Sequence, residues 1–126
     1  GAQPADLEAE LKKREAAWAD RVTFHGAVLR VDMRSVQLSD EGMGHWCRWA
    51  PAVLVALGQA SNGSLVDADL DFSDNQIEDG GLRLLVDTLK RCNVHCARLN
   101  LDRNMLADKA LDMVTEVIQI SSRPLL

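Results

Sequence analysis

The side chains best suited to metal or redox chemistry in this chain are three cysteines and three histidines. Cys92, His95 and Cys96 lie close together, and such a group raises the hypothesis of a zinc site. A structural zinc site normally has two tight pairs of ligands, and one Cys-x-x-x-Cys spacing supplies only one pair. Cys96 also falls at an apolar position of a repeated pattern, where cysteine packs as a small hydrophobic side chain. We therefore expect core packing for Cys96, with a metal or redox role as the alternative.

Carboxylates and a Cys–His pair suggest two other kinds of chemistry. Aspartates recur at positions 67, 69, 71 and 74, but the EF-hand calcium spacing with its final Glu is missing. Alternation along a strand would also point these carboxylates differently from those of a wrapped loop. A Cys–His pair needs a third group that orients the base, and we identify neither that group nor a glycine-rich nucleophile turn. The sequence therefore predicts a non-catalytic protein without a cofactor.

The composition narrows the class of protein. The 126 residues are 47% hydrophobic and 26% charged, which is typical of one soluble domain with its own core. The net charge of −5 disfavours nucleic-acid binding, which depends on Lys and Arg neutralising phosphates. No apolar run approaches the about 20 residues that a membrane helix needs, so we expect no membrane insertion.

The cysteine count and the first residue bear on the compartment. Three cysteines form an odd and sparse set, not a disulfide framework, which favours a reducing compartment, either the cytoplasm or an organelle interior. The first residue is Gly1, so we expect a processed chain or a fragment, and a removed organelle-targeting segment stays open.

The elements that position these side chains are organised by a repeat. The segments "LDFSDNQI" (70–77) and "LNLDRNML" (99–106) share one pattern, in which Asn75 and Asn104 stand 29 positions apart. A weaker copy begins at Val31, and there Val36 occupies the Asn position. In each copy the apolar residues first alternate, as in a strand, and then recur every three or four residues, as in a helix. Each copy is therefore predicted to form a strand, a turn and a helix.

Two further helices are predicted, over residues 4–22 and from residue 43 to about residue 60. The second contains Pro51, where we expect a break or kink. Three residues of the first helix are expected to face the core: Leu7, Leu11 and Trp18. Three residues of the last repeat's helix are expected to do the same: Leu111, Val114 and Ile118. Three aspartates precede the helical part of each copy and are expected to be N-caps: Asp40, Asp79 and Asp108.

The pattern L-x-L-x-x-N-x-L-x-D, followed by a helix, resembles the ribonuclease-inhibitor type of leucine-rich repeat over roughly residues 28–120. The resemblance implies an α/β solenoid of about three units, with a parallel sheet on its concave side and helices on its convex side. Residues 1–26 would be an N-terminal capping helix, and residues 27–126 the repeat domain. The resemblance also implies that Asn75 and Asn104 hold the loop backbone.

The spacers between the apolar strand positions define a charged concave face. Opposite charges are expected to meet across neighbouring strands, which would either neutralise this surface or present it to a partner. The expected rows are Arg30–Asp69–Arg98, Asp32–Asp71–Asn100, Arg34–Ser73–Asp102 and Ser35–Asp74–Arg103. The candidate partner-binding residues are Arg30, Asp32, Arg34, Asp69, Asp71, Asp74, Arg98, Asn100, Asp102 and Arg103.

A second candidate site lies in the stretch that makes the first copy ten residues longer than the second. Trp46 and Trp49 stand there, three positions apart. We expect one of them in the core and the other exposed, where an aromatic side chain is a good interface anchor.

These features favour a protein–protein interaction module, an adaptor or an accessory subunit of a larger assembly. This step from fold to function is an analogy, because such a fold presents surface and no catalytic constellation stands out. The alternative is a regulator of an enzyme such as a small GTPase, since activators of one such GTPase resemble this repeat type. The sequence does not identify the protein partner.

Overall fold

The computed structural model describes the backbone of residues 4–25, 28–60, 67–92 and 94–121, and the side chains of 5–25, 28–56, 67–92 and 94–117. Helices and strands of this part of the chain are, in order, α1 (Pro4–Ala19), β1 (Val22–His25), β2 (Val28–Asp32), α2 (Asp40–Ala60), β3 (Asp67–Asp71), α3 (Asp79–Arg91), β4 (His95–Asn100) and α4 (Ala110–Ser121). The predicted α/β class is confirmed. Residues 61–66 and 122–126 lie outside the described residues.

The four strands form one open sheet in the order β1-β2-β3-β4. Strands β2, β3 and β4 are parallel, as predicted, and a helix follows each of them. Strand β1 pairs antiparallel with β2, so the prediction of a purely parallel sheet was wrong. The reason is the length of the connection, because only residues 26 and 27 separate β1 from β2 and a parallel crossover needs about a dozen residues.

Helix α1 is shorter and less buried than predicted. It ends at Ala19, and Val22 begins strand β1, whereas we expected helix through residue 22. Leu7 and Leu11 are 52% and 42% exposed, so their predicted core positions were wrong. Only the C-terminal end of the helix reaches the core, where Trp18 is 3% exposed.

Two ring contacts of Trp18 and one hydrogen bond of Glu15 attach this end of α1 to α2. The Trp18 ring lies 4.7 Å from the ring of His45 and 5.7 Å from that of Trp49, measured between centroids. Nε2 of His45 lies 2.7 Å from Oε2 of Glu15, which adds a polar contact beside the rings. The helix therefore rests on one aromatic anchor and one hydrogen bond, and residues before Glu15 stay exposed.

Helix α2 runs without interruption from Asp40 to Ala60, so the predicted break near Pro51 was wrong. Proline removes one backbone hydrogen bond from a helix interior, which favours a break only if nothing else stabilises the helix. Here Trp46, Ala50 and Leu54 recur every four residues and are all buried in the core. Burial of this stripe keeps the segment helical on both sides of the proline. None of the described helices has the length and apolarity needed to cross a bilayer.

The core lies between the apolar face of the sheet and the helices. Leu29, Val31, Ala68 and Leu70 alternate with exposed or half-buried residues along β2 and β3, as predicted. In the last unit the buried helix stripe is Ala110, Met113 and Val117, while Leu111 is 74% exposed. The alignment placed Leu111 in the core and was wrong there. Helix α4 begins two residues later in the repeat than α3 and belongs to the last unit of the described sheet.

Two glycines allow a test of how closely the units approach. A Cβ atom added at Gly81 would overlap Oδ1 of Asp40, whereas one added at Gly44 meets its nearest atom at 3.4 Å. Gly81→Ala is therefore expected to lower the free energy of unfolding by about 1–3 kcal/mol. Gly44→Ala, inside a helix and in ordinary contact, should leave it unchanged or raise it by up to about 1 kcal/mol. Urea denaturation of both variants checks this pair, and an equal effect would contradict the close approach at Gly81.

Candidate functional site: the polar face of the sheet

The loop after each parallel strand enters the left-handed region at the same repeat position, and the first loop does so a second time at Gln37, with a φ angle of 59°. Ser35, Asp74 and Arg103 occupy equivalent positions in the three copies and have φ angles of 53°, 58° and 58°. These values lie in the left-handed region, which non-glycine residues enter rarely. Three matching occurrences show that the sequence repeat is also a repeat of backbone geometry.

The side chain of Asn75 holds this loop in place. Its Oδ1 accepts hydrogen bonds from the backbone N–H groups of Val36 and Leu38, at 3.1 and 3.0 Å. Its Nδ2 lies within 3.0 Å of three backbone carbonyls, those of Met33, Phe72 and Ser73. Asn104 repeats the arrangement one unit further, with Oδ1 3.1 Å from the N–H of Ile77. The expectation that both asparagines tie down the loop backbone is confirmed.

Two aspartates connect successive units as well. Oδ1 of Asp40 accepts a hydrogen bond from the backbone N–H of Glu78, and Oδ1 of Asp79 accepts one from Ala107, each at 2.8 Å. Asp40 and Asp79 are the first residues of their helices, and Glu78 occupies the N-cap position of α3. The prediction that they are N-caps was therefore wrong. Their carboxylates bond to the following unit instead, since a short side chain at that point reaches the neighbouring loop.

The register across the strands brings the predicted face together. Arg30 lies opposite Asp69, and Asp69 opposite Arg98. In the next polar row Asp32 lies opposite Asp71, and Asp71 opposite Asn100. The two rows beyond the strand ends are joined through backbone hydrogen bonds from Ser35 to Ser73 and from Asp74 to Asp102. The expected rows are thus observed, with acidic β3 between arginines on either side.

Ion pairs hold part of this face in a defined arrangement. Nε of Arg34 lies 3.0 Å from Oδ1 of Asp32 and 3.6 Å from Oδ2 of Asp71. The hydrogen bond from Arg34 lowers the pKa of the Asp32 carboxyl, although partial burial opposes this effect. Arg30 and Asp69 approach only to 4.0 Å. Because the arginines are exposed and the carboxylates are only partly buried, the pairs contribute little to stability, and their main effect is to orient the charges.

Other charges on the face have no such partner. Among the described side chains, Arg98, Asp102 and Arg103 take part in no ion pair. All three are exposed. Arg103 lines a shallow cleft of about 270 Å³ at the carboxyl ends of the strands, together with Arg21, Asp32, Arg34, Ser35, Ser73 and Asp74. A second cleft of about 190 Å³ lies over the strands and is lined by Arg30, Arg34, Asp69, Asp71 and Arg98, among others.

Sequence reasoning missed the contribution of β1 to this face. Thr23 lies opposite Arg30, so it points to the polar side of the sheet. Nη1 of Arg21 donates a hydrogen bond of 3.1 Å to the carbonyl of Asp32, which places a further arginine beside the first cleft. The signal was present in the apolar–polar alternation of residues 22–25, but the helical spacing before it hid the strand.

Comparison with protein-family models, with curated proteins and with solved structures gave no match. The interpretation of the polar face therefore depends on its own residues and geometry.

The two tryptophans of the longer first copy occupy different environments. Trp46 is fully buried, and its ring packs edge-on against Phe72 with centroids 5.0 Å apart. Its candidacy as a partner-binding residue is corrected, because no partner can reach it in this fold. Trp49 is half-buried against the core and against Trp18, so it offers only part of its ring to solvent.

The cysteines have surroundings that disfavour thiolate chemistry. Burial raises the pKa of the Cys47 and Cys92 thiols, and burial raises that of Cys96 to about 11. A metal ligand or nucleophile must be the thiolate, which becomes scarcer as the pKa rises. Within the described residues, no group of three or more His, Cys, Asp or Glu side chains could hold a metal ion. Cys96 is half-buried and packs against the core.

Proposed function

We propose that this chain is a short leucine-rich-repeat array of the ribonuclease-inhibitor type whose polar sheet face binds a protein partner. Three features support the repeat assignment: the strand–turn–helix order, the asparagine side chains bonded to loop backbone, and the recurring left-handed residue before them. Strand β1, which pairs antiparallel with β2, would cover the first edge of such an array.

The observation that carries the functional proposal is the order of charges on an exposed, regular sheet. Asp69, Asp71 and Asp74 form an acidic column, and arginines flank this column on both neighbouring strands. Residues on hydrogen-bonded strands need little reordering on binding, so less conformational entropy is lost. A complementary partner presents basic groups to the acidic column and acidic groups to the arginines on either side of it. The chain would then act as an adaptor or accessory subunit of a larger assembly.

Charge reversal at Arg30 tests this function. Arg30 is exposed, pairs only weakly with Asp69, and lies two strands away from the open edge at β4. Arg30→Glu is expected to weaken the affinity for the partner about tenfold or more, since like charges then meet across the interface. The measurement is the affinity for the protein that co-purifies from the source organism, once mass spectrometry has identified it.

The matched control is Arg48→Glu, which reverses an exposed arginine on α2, away from the polar face. It makes the same change in net charge and should leave the affinity unchanged. Equal binding by both variants, or equal loss in both, would rule out the polar face as the binding site. Stimulated GTP hydrolysis by a small GTPase would instead support the alternative proposal of an enzyme regulator.

A further inference from the structure

Strand β4 forms an open edge of the sheet among the described residues. The carbonyls of Asn100 and Asp102 accept hydrogen bonds from Phe72 and Asp74, so these two residues face β3. Because alternate residues of a parallel strand bond to opposite neighbours, Leu99, and Leu101 just after the strand, direct their backbone N–H and C=O groups away from β3. The carbonyl of Leu101 also accepts a hydrogen bond of 3.0 Å from Nδ2 of Asn104, which leaves its second lone pair for a neighbour. Such an edge is ready to pair with another strand.

The polar side chains of this edge are complementary to themselves. If a second copy approaches antiparallel with Asn100 opposite its own counterpart, Leu99 lies opposite Leu101 and Arg98 opposite Asp102. This register places the outward backbone groups of Leu99 and Leu101 face to face, as an antiparallel hydrogen-bonded pair requires. It also gives the exposed, unpaired Arg98 and Asp102 a partner of opposite charge, twice by symmetry. A shift of two residues in either direction would remove the charge match.

Apolar groups that a neighbour would cover lie at the same end of the molecule. Leu99 and Leu101 are half-buried, whereas their equivalents Leu70 and Phe72 are 1% and 0% exposed between two strands. In the adjoining loop Met105 is 60% exposed, so it adds apolar surface beside this edge. A twofold arrangement needs one self-complementary patch, and this end of the chain has both the charges and the apolar groups for it.

We propose that two copies of this chain dimerise through antiparallel pairing of residues 98–102, the end of β4 and the two residues after it, about a twofold axis at Asn100. The two four-stranded sheets then join into one sheet of eight strands. Residues paired across strands point to the same side, so the two polar faces become one continuous surface. This interface goes beyond the proposed function, and it does not involve Arg30.

The test is sedimentation equilibrium over a range of concentrations, with two opposite charge reversals. The unmodified chain is expected to approach twice its mass of 13.9 kDa as concentration rises. Arg98→Asp and Asp102→Arg should each be monomeric, because each brings two pairs of like charges together. An equimolar mixture of the two variants should form a heterodimer, since both pairs are then attractive. The doubly substituted chain, R98D with D102R, should regain the homodimer.

Circular dichroism of each variant shows whether it is folded, and the mixture and the double variant exclude a fold defect as the cause of dissociation. Arg48→Glu is the control for net charge and should remain dimeric.

A chain that stays monomeric up to about 1 mM overturns the proposal and leaves the edge to a strand of another protein. A dimer that survives both single reversals, or a mixture that does not associate, overturns it as well. Loss of partner binding in Arg30→Glu with an intact dimer separates this interface from the proposed function.

Discussion

Replacing Asn75 with Ala is expected to lower the free energy of unfolding by about 3–5 kcal/mol, because one side chain satisfies several buried backbone groups. The substitution leaves the N–H groups of Val36 and Leu38 without their acceptor. The carbonyls that Nδ2 approaches lose a donor as well. A buried polar group without a partner costs about 1–3 kcal/mol, and water reaches this site poorly since Asn75 is 5% exposed. Urea denaturation gives the free energy of unfolding and shows through the m-value whether the native state stays compact.

Asn104→Ala is the matched control for this prediction. It removes the equivalent side chain, whose Nδ2 also approaches three backbone carbonyls. Asn104 is half-buried, however, and among the described residues its Oδ1 accepts one backbone N–H, that of Ile77, where Oδ1 of Asn75 accepts two. We expect a loss of about 1–2 kcal/mol, since exposed backbone groups can bond to water instead. An equal loss in the free energy of unfolding for Asn75→Ala and Asn104→Ala would contradict the role of Asn75 in holding the loop backbone.

Replacing Trp46 with Ala is expected to lower the free energy of unfolding by about 3–5 kcal/mol. Trp46 has no exposed surface and packs on Phe72, and its indole N–H has no acceptor among the described residues. Its contribution is therefore packing alone, and deletion of the ring leaves a cavity between α2 and the sheet. Thermal and urea denaturation should agree on the loss.

Trp49→Ala provides the comparison, because it removes the same side chain from a half-buried position three residues away. We expect a smaller loss of stability there. Since Trp46→Ala is expected to weaken the fold itself, a loss of partner binding in that variant would say nothing about an interface, whereas Trp49→Ala can be interpreted. A stable Trp46→Ala protein would contradict the structure of the core.

Much of the middle of this protein could be predicted because its signals are local. The alternation Leu70, Phe72 and the later spacing Leu82, Leu85, Leu89 each reflect one face of one element buried by its neighbours. A register error of one residue in a strand would expose the apolar side, so the alignment of the copies also predicted which polar residues meet across the strands. Asn75 and Asn104 were identified for the same reason, as fixed positions in the repeated turn.

The ends of the protein could not be predicted in the same way. The spacing of Leu7, Leu11 and Trp18 suits a helix face, but only Trp18 meets a surface that can cover it. Pro51 was interpreted as a break because the sequence does not show how strongly the stripe through Trp46 and Leu54 is buried. Leu111 follows the repeat, yet it lies in the helix of the last described unit and is 74% exposed.

The amino-acid sequence by itself determined the strand–turn–helix units, their register and the charged residues that share the polar face, because these follow from periodicity within about ten residues and from a fixed repeat length. Tertiary structure alone decided that β1 joins the sheet antiparallel, that Asp40 and Asp79 bond to the next unit, and that β4 is left with an open edge. Each of these depends on which element lies beside which, and on what covers its surface. That information is carried by contacts between residues distant in the chain, and not by the pattern of any one segment.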